Sequence, residues 1–177
     1  MIKGLFFKII FIFLLLIFFN NKVFAENKTV YLNLNYILNN SIAGKVLNEE
    51  ISKQQKSNSS IFEKNEKKLK NEQDSIIKQK NLLKEDEYNK RIKNLKVEFD
   101  LYKKNRKKKL DELNNKIIKS KNSFMESLQI TLSEYAKEND ISLVMQKKNI
   151  LLGKTELDIT KDFIKIFNEK IKIIELK

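Results

Sequence analysis

Apolar and polar positions change their spacing several times along this 177-residue chain, and each change predicts a different element. Ile9 to Phe19 is an unbroken apolar run of eleven residues, extended across Lys8 by Leu5-Phe6-Phe7. A basic start, Met1-Ile2-Lys3, precedes it, and Asn20-Asn21-Lys22 closes it. Val23-Phe24-Ala25 then offers residues acceptable to a signal peptidase. Residues 1–25 therefore read as a secretory signal cleaved after Ala25. The rival reading is a retained anchor, but eleven residues fall short of the ~20 that span a bilayer. Thr29 to Asn35 alternates, with Val30, Leu32 and Leu34 on one face, the pattern of a half-buried strand. Tyr36-Ile37-Leu38 is a short turn of helix, and Ser41 is a candidate N-cap for a helix from Ile42.

From 42 to 139 the period becomes seven. Phe62, Leu69, Ile76 and Leu83 form one column. Its companion, Ile51, Asn58, Asn65, Glu72 and Gln79, is almost wholly polar. A well-packed coiled coil carries two apolar columns, so this stretch has half a seam. Ile92, Leu95, Phe99 and Tyr102 follow a better 3-4-3 spacing, resumed by Leu110, Leu113, Ile117 and Phe124. The step 102, 106, 110 is a four-residue stutter that locally unwinds a supercoil. Straight, such a helix would reach ~147 Å at 1.5 Å per residue. Folding back buries the seam and joins the two ends, which predicts a turn near 81–91 and arms of about 65–75 Å. Polar seam positions predict arms that splay easily.

After Asn139-Asp140 the spacing shortens again. Ile141 to Met145 and Ile150-Leu151-Leu152 read as short strands, the second ended by Gly153. Asp158 or Thr160 is placed to cap a last helix whose Phe163, Ile166, Phe167 and Ile171 share a face. Residues 26–41 and 140–177 number only 54, too few for a sizeable core of their own. Self-association through Val30, Leu32, Leu34, Leu143, Met145, Ile150 and Leu152 is the simple solution. Packing of both ends onto the hairpin base of a monomer is the alternative.

Composition narrows the chemistry. The chain has no Cys, His, Trp or Pro and only three Gly. Disulfide scaffolds, Cys/His zinc sites, Ser-His-Asp triads and Gly-rich phosphate loops lack their residues. Ser52-Lys53 and Ser120-Lys121 are adjacent on helices and point in different directions, so neither makes a catalytic pair. Enzyme activity and a cofactor are not expected. Lys and Arg number 36 against 23 acids. Three of the basic residues precede Ala25, which leaves a mature net charge of +10. Of that surplus, +8 falls within 42–139, where 24 basic side chains meet 16 acidic ones. Lys103, Lys104, Arg106, Lys107, Lys108 and Lys109 form the densest cluster. Outside the inner membrane such a surface meets acidic proteins, anionic lipid or lipopolysaccharide phosphate. Export argues against nucleic acid as a physiological partner.

The order of these segments resembles the Skp/OmpH family of periplasmic chaperones along the whole mature chain. Val30 to Ser41 looks like its first strand and short helix, and Ser41-Ile42-Ala43-Gly44-Lys45 like its S-x-A-G-K/R entry into the first long helix. Ile141 to Met145 and Ile150 to Gly153 resemble its closing strands, and Asp158-Ile159-Thr160 the D-I-T before its last helix. The resemblance implies a mainly α fold with a small β body: a long antiparallel coiled-coil-like hairpin, or tentacle, on a trimeric β-barrel-like core. It implies a homotrimer that holds unfolded outer-membrane proteins in the periplasm without ATP. Lys103, Lys104, Arg106, Lys107 and Lys108 are the candidate client or lipopolysaccharide surface. The competing reading is an exported structural coiled coil, an envelope spacer or secretion adaptor that binds no client.

Overall fold

The computed structural model describes residues 28–177, so the signal reading of residues 1–25 lies outside the described residues. Strand β1 (Lys28–Leu32) leads through Asn33 into helix α1 (Leu34–Asn40), and Ser41 separates α1 from the first arm, α2 (Ile42–Lys78). The second arm, α3 (Glu85–Glu138), returns to strand β2 (Ile141–Gln146) and helix α4 (Thr160–Lys170). Single 3-10 turns at Lys147–Asn149 and Thr155–Leu157 lie between β2 and α4.

Each boundary has a local cause. β1 ends before the alternation does, because the Asn33 side chain accepts from the Tyr36 amide at 3.0 Å and starts α1 at Leu34. A side-chain cap satisfies amides that an extended chain would leave to a neighbouring strand. Ser41 caps α2 by accepting from the Gly44 amide at 3.1 Å. The Ile42 amide, another donor free at that helix end, is taken by Asn168 of α4 at 2.8 Å. The chain reverses over residues 79–84, ahead of the acidic first turn Glu85-Asp86-Glu87 of α3, which suits that helix's dipole. Asp140 turns the chain from α3 into β2 with φ of 53°, a left-handed conformation that Asp tolerates.

The arms differ in length. α2 has 37 residues and α3 has 54. At 1.5 Å per residue these are ~56 and ~81 Å. α3 is longer because its last turns pass beyond the hairpin base into the body, where Phe124, Leu128 and Thr131 are buried.

β1 and β2 pair in parallel, with Val30 opposite Val144 and Leu32 opposite Gln146, and the whole hairpin is the crossover between them. Residues 150–152 form no strand. The other edge of β1 is met by one bridge, Tyr31 to Asp158, with the Ile159 amide donating to the Tyr31 carbonyl at 2.9 Å. The 150–154 loop instead lies over the Tyr31 ring, whose hydroxyl donates to the Lys154 carbonyl at 3.0 Å.

The core sits at this junction. Val30, Leu32, Ile37, Ala43, Leu47, Phe124, Leu128, Phe163 and Phe167 are buried together. Phe124 and Phe167 meet edge to face at 5.3 Å, and Tyr135 and Phe163 at 5.7 Å. Such pairs contribute ~0.5–1.5 kcal/mol beyond their buried area. Residues 171–177 then leave α4 and run across the base of both arms, burying Ile174.

Candidate functional site: the open seam of the hairpin

The distal hairpin is where the uneven heptads take effect. Phe62, Leu69 and Ile76 of α2 are buried, as is Leu113 of α3. Asn58, from the polar column, is buried too, and its side-chain oxygen accepts from Gln54 of its own helix at 3.4 Å. On α3, Phe99 stays 48% exposed and Ile92 40%, although both belong to its apolar column. The α2 residues on the same side, Glu66, Lys70, Gln73 and Asp74, are polar apart from Leu69 and leave both part-exposed. The result is an apolar seam open along one side.

Two grooves of about 700 Å³ each run along that side. Leu69, Ile92, Leu95 and Phe99 line one, with Lys70 and Lys96 at its rim. Phe99, Tyr102 and Leu110 line the other, rimmed by Lys103, Arg106 and Lys107. Glu66 and Phe99 belong to both.

A polar latch ties the arms between the two grooves. Glu66 of α2 accepts from the Tyr102 hydroxyl and, at 3.2 Å, from Arg106 of α3. The same guanidinium stacks over the Phe62 ring at 5.3 Å. Partial burial and the bond to Glu66 together push the Tyr102 phenol up from its ordinary value. The sequence carried a signal for this latch, since the stutter places 102 and 106 on the seam; what it did not show was that Glu66 lies opposite.

The five basic candidates are used in different ways. Arg106 is committed to the latch. Lys103 pairs with Asp100 at 2.8 Å and lies over Phe99 at 4.9 Å. That pairing holds the Asp100 carboxyl below its usual range. Lys108 makes a long pair with Glu112 at 3.8 Å. Lys104 and Lys107 have no carboxylate within 4 Å among the described residues.

The body places its seven candidates on two sides. Val30 and Leu32 lie inside the chain's own core, and Leu34 and Ile150 are half-buried. Leu143 is 52% exposed, Met145 38% and Leu152 93%, and Leu151 is fully exposed. A strand and the loop after it thus leave apolar side chains uncovered, the kind of exposure that interaction surfaces carry. One ion pair stiffens the loop beside it. Lys147 reaches Asp158 at 2.6 Å, and Asp158 also accepts from the Thr160 amide at 3.0 Å. Burial pushes the Asp158 carboxyl up, but the bonds from Lys147 and Thr160 outweigh it and hold the group below its ordinary value.

Residues 28–167 match the family model for outer membrane protein, OmpH-like. The chain belongs to the OmpH-like family. The crystal structure of an OmpH-like protein from Caulobacter crescentus CB15, assigned as a candidate outer membrane chaperone, has the same fold. It superposes with a TM-score of 0.77 at 13% identity, covering 83% of this chain and 87% of that one. No curated protein matches the sequence. At that identity the fold is common while the side chains are this OmpH-like chain's own.

Proposed function

We propose that this OmpH-like chain is a periplasmic holdase, exported by residues 1–25, that shelters unfolded outer-membrane proteins between basic arms without ATP. The observation that carries the reading is the open seam: apolar side chains of α3 held half-exposed on a long arm, with lysines at the rim. An unfolded chain gains from many weak apolar contacts in a confined space, an effective-concentration effect. The net charge of +8 over 42–139 draws in acidic clients before contact. The candidate-chaperone assignment of the Caulobacter crescentus CB15 protein supports the same reading. A homotrimer, joined through the exposed apolar surface of Leu143, Met145 and Leu152, would set three arms around one cavity. Anionic lipid or lipopolysaccharide is a second ligand class for Lys104 and Lys107.

The rival rod reading fits less well. A permanent structural coiled coil is strengthened by a closed seam, and Asn58 and the exposed Phe99 weaken this one.

The test is aggregation. A urea-unfolded outer-membrane β-barrel protein is diluted into residues 26–177 and light scattering is followed without nucleotide. Scattering is suppressed near one assembly per client. The effect weakens from 0.1 to 1 M salt, as the screening length falls from ~10 to ~3 Å. No suppression at any ratio rejects the holdase reading.

A further inference from the structure

The C-terminal segment is bound at the hairpin base in the manner of a peptide ligand. Ser120 of α3 is fully buried, yet its hydroxyl serves no bond within its own helix. It donates to the Glu175 carbonyl at 2.8 Å and accepts from the Lys177 amide at 2.9 Å. One side chain thus reads a C=O and an N–H two residues apart, the pair that a strand presents on one edge. Between them the Leu176 amide donates to the Glu50 carboxylate of α2 at 3.3 Å. Burial alternates along the segment: Ile174 and Leu176 turn toward the core cluster, while Ile173, Glu175 and Lys177 face solvent. The site recognises backbone groups and two apolar side chains in i, i+2 spacing. It requires no particular sequence beyond that pattern. Residues 171–177 also lie beyond the 28–167 span that matches the family model.

We propose that the groove between Glu50 and Ser120 is a binding site for extended peptide with alternating apolar residues, and that residues 172–177 occupy it as a tethered stand-in that clients displace. The groove itself stands on the geometry above. Displacement by clients rests on the holdase reading, and it names the client segment as one in strand-like conformation with an apolar residue at every second position. A tether holds its segment at roughly millimolar effective concentration, so an outside chain wins only when it offers several such stretches.

The probe is a fluorescent hexapeptide, Lys-Ile-Ile-Glu-Leu-Lys, the sequence of residues 172–177. Anisotropy is read against protein up to millimolar concentration. The full-length variant Ile174→Ser with Leu176→Ser, whose own tail is loosened, binds the peptide at least tenfold more tightly than the unaltered chain. Adding Ser120→Ala to that variant removes most of the gain. A unfolded β-barrel client then displaces the bound peptide. In the unaltered chain, hydrogen exchange finds the Leu176 and Lys177 amides protected, and client addition abolishes that protection. A purely structural strap gives the opposite pattern, with the tail variant no better than the unaltered chain, and that result overturns the groove. Peptide binding that client does not disturb, in samples where client is held, overturns displacement. The peptide arm contains no client, so a chain that fails to hold clients but binds the hexapeptide leaves the groove standing and rejects the holdase reading with its displacement step.

Discussion

Gly44→Ala tests whether the joint between body and arm is as tight as the geometry indicates. Helix propensity alone favours alanine over glycine inside α2 by ~1 kcal/mol. The position opposes it. A Cβ on Gly44 would lie 2.0 Å from the Leu38 carbonyl oxygen and 2.8 Å from its carbon, where real contacts start near 3.0 Å. Both are backbone atoms of α1, so no rotamer change relieves the clash. The last turn of α1 would have to move by about 1 Å, against a buried neighbour in Ile37. The same Cβ stands 2.8 Å from the Ser41 hydroxyl that caps α2. Overpacking of this kind costs ~1–3 kcal/mol, and a disturbed cap ~0.5–2 kcal/mol more. Set against the propensity gain, the net loss is about 2 kcal/mol, a roughly thirtyfold shift in the folding equilibrium. The assay is urea unfolding followed by circular dichroism at one fixed protein concentration, since assembly changes apparent stability. Gly153→Ala is the control: its Cβ meets the Tyr31 ring edge at 2.9 Å and an Ile150 methyl at 3.3 Å, side-chain atoms rather than backbone. Its loss should stay below ~1 kcal/mol, within the range of surface changes. A Gly44→Ala variant as stable as the parent, or more so, would refute the reasoning.

Three further outcomes follow from the same geometry. Phe163→Ala opens a cavity against Tyr135 and Phe167 and should cost ~3–5 kcal/mol in urea unfolding, while Phe99→Ser on the open seam costs under ~1 kcal/mol and weakens client holding several-fold in the scattering assay. Asp158 is held below its ordinary 3.8, so the folded chain keeps this carboxylate charged to lower pH than the unfolded chain does. Its contribution is therefore complete above about pH 5 and is lost as pH falls through the folded value. Asp158→Asn should remove ~2 kcal/mol at pH 7 and flatten the acid limb of the urea midpoint plotted against pH; an unchanged acid limb counts against the Lys147–Asp158–Thr160 cluster. Leu143→Asp with Leu152→Asp should convert the proposed trimer to monomers in light scattering without changing the circular dichroism spectrum, because neither side chain is in the chain's own core.

Local signals were legible in the sequence and non-local ones were not. The Ser41 cap and the start of α2 could be read because an N-cap acts over three residues. The columns through Phe62, Leu69 and Ile76, and the polar column beside them, could be read because seven-residue spacing survives without any partner in view. Asp158 was readable as an anchor before the last helix, although it acts by bonding Thr160 and Lys147 while Ile159 holds the cap position. The reversal over 79–84 has no Gly or Pro, and only pairing of the two arms defines it. The apolar triplet 150–152 reads like a strand, but the open edge of β1 is met by Asp158, and Leu151 and Leu152 are left facing solvent. Glu66 looked like one of many surface acids, because its partners Tyr102 and Arg106 lie 36 and 40 residues away. The tail offered only a short apolar alternation, and its meaning lies in Ser120, a serine without distinction in the sequence.

Native mass spectrometry of residues 26–177, alone and after dilution of a urea-unfolded outer-membrane β-barrel protein, tests the central claim most directly. The account predicts a trimer that takes up one unfolded client without nucleotide. A monomer, dimer or filament that ignores the client would contradict it.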